Sequence, residues 1–196
     1  MIMTTKKLTL MAILTAVALI IFIIEAQIPL PIPIPGVKLG LANTVTLFAL
    51  FYGSDKSDKW GRYDIVTSGG ESDKNVPSPF VTTANVFTIL LCRIVLGAVF
   101  TGRPIALVYS IAGGLLGFAA QVIMKRFVSN KQIWVCGAAG AVLHNIGQIA
   151  AAVVITGSPA IVSYLPIMIF AGVFTGVMTG LITQFTIARL TSIPSQ

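Results

Sequence analysis

The stretch Leu8-Thr-Leu-Met-Ala-Ile-Leu-Thr-Ala-Val-Ala-Leu-Ile-Ile-Phe-Ile-Ile-Glu-Ala26 carries no charge before Glu25, and it follows directly on Lys6 and Lys7. A helix of this length comes close to the roughly 30 Å of a bilayer's hydrocarbon core at about 1.5 Å per residue. Five further runs share its character, over residues 37–53, 80–101, 105–124, 133–156 and 160–188, the first of them short. The reading is an all-α integral membrane bundle of six transmembrane helices. The alternating pattern of a membrane barrel is absent, and the runs exceed the 9 to 11 residues or so of a barrel strand.

Composition agrees. Of 196 residues 56% are apolar and 10% charged, against about 25% charged in globular domains, and the mean hydropathy is +0.93. A soluble domain is excluded, and residues 1–196 read as a single transmembrane domain with a polar insert at 54–79. That insert holds five of the six acids, Asp55, Asp58, Asp64, Glu71 and Asp73, together with Lys56, Lys59, Arg62 and Lys74. Outside it stand nine basic residues and one acid, Glu25. The basic residues punctuate apolar runs instead of lining a wet face, so they read as topology determinants and not as a nucleic-acid surface.

With the N-terminus inside, Lys6, Lys7, Lys125, Arg126, Lys131, Arg189 and the four bases of the insert fall on the cytoplasmic side, and only Lys38 and Arg103 fall outside. This predicts a multi-pass protein of the bacterial cytoplasmic membrane with both termini cytoplasmic. No small-x-small cleavage site follows the first run, so it reads as helix one and not as a signal peptide. Cys92 and Cys136 are solitary and indicate neither a disulfide framework nor a metal site.

Two segments interrupt the pattern. In Ile28-Pro-Leu-Pro-Ile-Pro-Ile-Pro-Gly36 every second residue from Pro29 to Pro35 is proline, which fixes φ and removes backbone donors. It reads as a stiff outer loop, either a connector or a lid over an outward-facing pocket. The insert, with turn signals at Ser68-Gly69-Gly70 and Pro77-Ser78-Pro79, reads as a disordered cytoplasmic excursion. Small residues recur at fourfold spacing as Ala12 and Ala16, Gly113 and Gly117, and Gly172, Gly176 and Gly180. The glycine stripes read as packing within the bundle. The alanine pair is short and lies near the cytoplasmic end, where it also suits a partner helix.

Polar groups within apolar runs are costly and mark candidate sites. Here they are Glu25, Lys38, Arg93 and His144, with Asn43, Asn145 and Gln148. Arg93 lies about two turns below the outer end of its run, and Gln148 shares a face with His144. The expectation is one outward-open, ligand-binding pocket for an anionic or polar-headed ligand. The structural alternatives are a buried Arg93–Glu25 pair and interhelical hydrogen bonds from His144, Asn145 and Gln148. No catalytic residue, metal ligand or cofactor is assigned. A nucleotide-binding GxxxxGK[ST] loop, a Ser/His/Asp set and HExxH or CxxC spacings are all missing, and Asp55-Lys-Ser-Asp58 is a weak match to a magnesium-diphosphate site.

The run Pro31-Ile-Pro-Ile-Pro-Gly-Val-Lys-Leu-Gly-Leu-Ala-Asn43, followed by Arg93-Ile-Val-Leu-Gly97, Phe100-Thr-Gly102, Tyr109-Ser-Ile-Ala-Gly-Gly114 and His144-Asn-Ile-Gly-Gln148, closely resembles a bacterial membrane family. That family is described both as heptaprenyl diphosphate synthase component I and as Gx transporter. The departure is the 54–79 segment, where typical members have a much shorter link. The family is in turn similar to the substrate-binding S components of energy-coupling factor (ECF) transporters, six-helix proteins of this size. There an Ala-x-x-x-Ala stripe on helix one docks the coupling subunit, and Ala12 and Ala16 fit that stripe. The resemblance implies an S-component-like uptake protein energised by separate ATPase and coupling subunits, with a small-molecule ligand of isoprenoid, quinone or flavin-related chemistry. The other family description implies a membrane component of heptaprenyl diphosphate synthesis. Neither implies nucleic acid, and membrane lipid is the surrounding solvent.

Overall fold

The computed structural model describes residues 5–28, 38–52, 82–102 and 104–191. The proline loop, the 54–79 insert and Arg103 therefore lie outside the described residues. Those described form six α-helices, α1 (Thr5–Glu25), α2 (Asn43–Tyr52), α3 (Thr83–Thr101), α4 (Pro104–Met124), α5 (Ile133–Thr156) and α6 (Leu165–Thr191), with short 3₁₀ turns at Asn130–Gln132 and Pro159–Tyr164 and no strand.

Among the described residues, five spans are long and apolar enough to cross a membrane: α1, α3, α4, α5, and α6 with its preceding turn. Their outer surface is that of a protein in lipid. Val154 is 82% exposed and Phe170 80%, while Glu25, Arg93, His144, Asn145 and Gln148 are buried. A water-soluble fold has the opposite arrangement. This is a multi-pass membrane protein.

Local chemistry sets the helix ends. Thr82 caps α3, its Oγ1 accepting from the Asn85 N–H at 3.4 Å, and Gly102 ends that helix in the left-handed region at φ 61°. Gly157 ends α5 in the same manner, at φ 66°. Pro166, without an N–H, sits in the first turn of α6, where that donor has no intrahelical partner anyway.

The helices pack through glycine. A Cβ on Gly176 would lie 2.6 Å from the Gly137 carbonyl oxygen, so α5 and α6 touch backbone to backbone. A Cβ on Gly113 would lie 2.8 Å from the His144 carbonyl oxygen, which presses α4 against α5. Both glycine stripes therefore pack inside the bundle.

The second apolar run departs from the expectation of a full span. Residues 38–42 are not helical, and α2 has ten residues up to the edge of the described segment, or about 15 Å of helix. The half-helix sits at the centre of the bundle, touching each of the other five helices. Its two ends explain how it is tolerated there. The Glu25 side chain accepts the N–H groups of Gly40, Leu41 and Ala42 ahead of the first turn. At the other end the Lys125 ammonium donates to the Leu50 carbonyl at 2.7 Å. An anion thus faces the positive end of the helix, and a cation satisfies one carbonyl in its last described turn.

Candidate functional site

Glu25 closes α1 and is 4% exposed. One of its oxygens, Oε1, accepts from Gly40 and, at 3.2 Å, from Leu41; Oε2 accepts from Ala42 at 3.4 Å. Gly40 makes this wrap possible. Its φ is +84°, and a Cβ there would meet His144 Cδ2 at 2.9 Å, so both the backbone conformation and the space exclude a side chain.

Lys38 opens the same segment. Its backbone N–H donates to Gln148 Oε1 at 3.0 Å, and its ammonium lies 3.0 Å from the centre of the Phe22 ring. A backbone N–H only donates, so it fixes the orientation of the Gln148 amide and turns Nε2 toward His144 Nε2, 2.9 Å away. The amide nitrogen also only donates, so His144 Nε2 is the acceptor and the ring proton sits on Nδ1. That Nδ1 is buried, with the Gly113 carbonyl near it but in no well-formed hydrogen bond. His144 is thereby held neutral by a chain of donors and acceptors that starts at the Lys38 backbone.

Arg93, on α3, is 2% exposed. Its guanidinium carbon lies 6.0 Å from the Phe22 ring centre, its Nε has no hydrogen-bond partner, and among the described residues it forms no ion pair. It interacts with Glu25 through charge across the cavity, but the Glu25 oxygens are bonded to backbone donors. Phe22, Glu25, Lys38, Gly40, Arg93, Ser110, His144 and Gln148 line one small cavity. In this conformation the site has space for about one water molecule.

The structure thus brings together Glu25, Lys38, Arg93, His144 and Gln148. Asn43 stands beside them, its Nδ2 buried without a partner and 3.1 Å from where a Gly40 Cβ would lie. Asn145 turns away, donating to the Met168 carbonyl at 2.6 Å, and ties α5 to α6. Ala12 and Ala16 are exposed on the outer face of α1. Phe22, Gly40 and Ser110 complete the lining beyond the candidates read from sequence. Phe22 had a signal, standing one turn before Glu25 on the same helix face; Gly40 had another, a lone glycine just before an asparagine helix start. Ser110 had none. Among the described residues no group of three or more His, Cys, Asp or Glu stands together.

Comparison with curated proteins and with solved structures gives no match. A family model, heptaprenyl diphosphate synthase component I, matches residues 14–59 and 78–186. Every residue lining the cavity falls within those two blocks, and the unmatched residues between them, 60–77, fall within the polar insert. The chain belongs to the heptaprenyl diphosphate synthase component I family.

Proposed function

We propose that the protein is a membrane-embedded binding subunit for a small anionic or polar-headed ligand, taken up in the manner of an S component and energised by separate coupling and ATPase subunits. The observation that carries this is the arrangement of donors around the cavity. Arg93 Nε is a buried donor without an acceptor, His144 Nδ1 has only the Gly113 carbonyl near it, and the one acid in the lining is already engaged by three backbone N–H groups. Buried donors left without acceptors are costly, and a ligand that supplies acceptors recovers that cost. The exposed Ala12 and Ala16 support a docking face on α1, and the distribution of basic residues supports cytoplasmic termini.

The protein has no catalytic role of its own in this reading. Glu25 and His144, the groups best suited to proton transfer, are both held in hydrogen bonds to neighbouring groups. Mass spectrometry of what co-purifies from detergent, with a pull-down for coupling and ATPase subunits, tests the proposal. An anionic small molecule together with those subunits is the expected result. The family description favours a second reading, a component of heptaprenyl diphosphate synthesis. A co-purifying prenyl diphosphate, or prenyl transfer that appears only when this chain is added to a soluble partner, would decide for that reading.

A further inference from the structure

The Glu25 carboxylate occupies a site built for an anion. Three successive N–H groups, from Gly40, Leu41 and Ala42, converge on its two oxygens at the entry to α2. Arg93, 2% exposed and with Nε unpartnered, lines the same cavity and acts on the carboxylate through charge. In this conformation the cavity leaves room for about one water molecule beside Glu25. With His144 neutral, the lining carries Lys38 and Arg93 against Glu25, a formal charge of one positive unit, which a single negative charge cancels.

We propose that Glu25 is a built-in stand-in for the ligand, and that a carboxylate-bearing ligand binds by displacing it from the α2 N–H groups beside Arg93. This deepens, and rests on, the reading of the pocket as an anion-binding site. Because Glu25 is tethered, it competes at a high effective concentration. A simple free carboxylate therefore fails against the wild-type protein, whereas a ligand with further contacts succeeds. Displacing Glu25 also frees residues 40–42, whose N–H groups the carboxylate holds.

Removing the tethered carboxylate exposes the seat to simple anions. The experiment is thermal unfolding of purified Glu25→Ala in detergent, with sodium acetate, sodium formate or inorganic phosphate replacing chloride at constant ionic strength. Acetate and formate are expected to raise its Tm by several degrees in a saturable manner. They should leave the wild type unchanged, because its seat is filled, and leave the Glu25→Ala, Arg93→Gln double variant unchanged, because half the seat is gone. An absence of any acetate effect on Glu25→Ala overturns the proposal, as does an equal effect on the double variant. Stabilisation by phosphate alone overturns the carboxylate assignment. If Glu25→Ala does not yield monodisperse protein, Glu25→Ser is measured in the same way with the same outcomes. No native ligand or coupling subunit enters this experiment. A failure here beside a co-purifying anion removes only the seat, and acetate rescue without coupling subunits removes only the uptake reading.

Discussion

Arg93 keeps its proton under all ordinary conditions, and it lies in a bundle whose one nearby acid is bonded to backbone. Two predictions follow at the scale of residues. Arg93→Gln should keep the fold and its thermal stability while abolishing stabilisation by the cognate ligand. Glu25→Gln should cost about 1–3 kcal/mol, because a carboxamide has one acceptor oxygen for three donors. The double Glu25→Gln, Arg93→Gln variant should not regain that loss, since the orphaned partners are N–H groups and not the guanidinium. Recovery in the double variant, read from unfolding midpoints, would instead identify a structural ion pair. The Gln148 relay makes a separate prediction. Gln148→Leu leaves the Lys38 N–H and His144 Nε2 unsatisfied, and a loss of about 1–3 kcal/mol is expected in the same assay.

At the scale of elements, α6 buries its small residues against a neighbour whereas α1 leaves two of its own exposed. Gly176 and Gly180 face α5 so closely that a Cβ on Gly180 would lie 2.5 Å from Trp134 Cα. Gly180→Leu has no flexible neighbour to displace, so it should prevent a stable fold, visible as loss of a monodisperse peak in detergent. Ala12 and Ala16, by contrast, are exposed. Replacing both with leucine should leave a folded, ligand-competent protein that no longer co-purifies with a coupling subunit. A protein that fails to fold after this change would mean that α1 packs inward through these residues. The half-helix α2 explains why element boundaries were only partly legible. The ends of α3 and α5 were readable because Thr82, Gly102 and Gly157 are local signals. The start of α2 was not, because it depends on the Glu25 carboxylate, fifteen residues earlier, taking the Gly40 N–H that a longer helix would have bonded to itself.

At the scale of the molecule, the polar cluster lies between the Glu25 end of α1, the segment that leads into α2, and α3, α4 and α5. In the topology we propose from the basic residues, that end of the bundle faces outside the cell. Cysteine labelling in intact cells checks this: an impermeant probe should react at Ser158→Cys and not at Ser68→Cys. The reverse pattern would turn the pocket toward the cytoplasm and end the uptake reading.

The sequence by itself determined the environment and the number of apolar runs, because hydrocarbon leaves a chain with 10% charged residues few alternatives to helices that satisfy their own backbone. It also marked Glu25, Lys38, Arg93, His144 and Gln148, since a polar group in lipid stands out against its neighbours wherever it points. What each one bonds was decided only by the tertiary structure. Asn145 and Gln148 look alike along the chain, yet one is turned to Met168 on α6 and the other to Lys38 and His144. Glu25 and Arg93 are the one obvious charge pair along the chain, yet the carboxylate is held by the α2 backbone. Three converging N–H groups offer directed hydrogen bonds at the positive end of a helix, and such a donor set exists only once α1, α2 and the turn at Gly40 have come together.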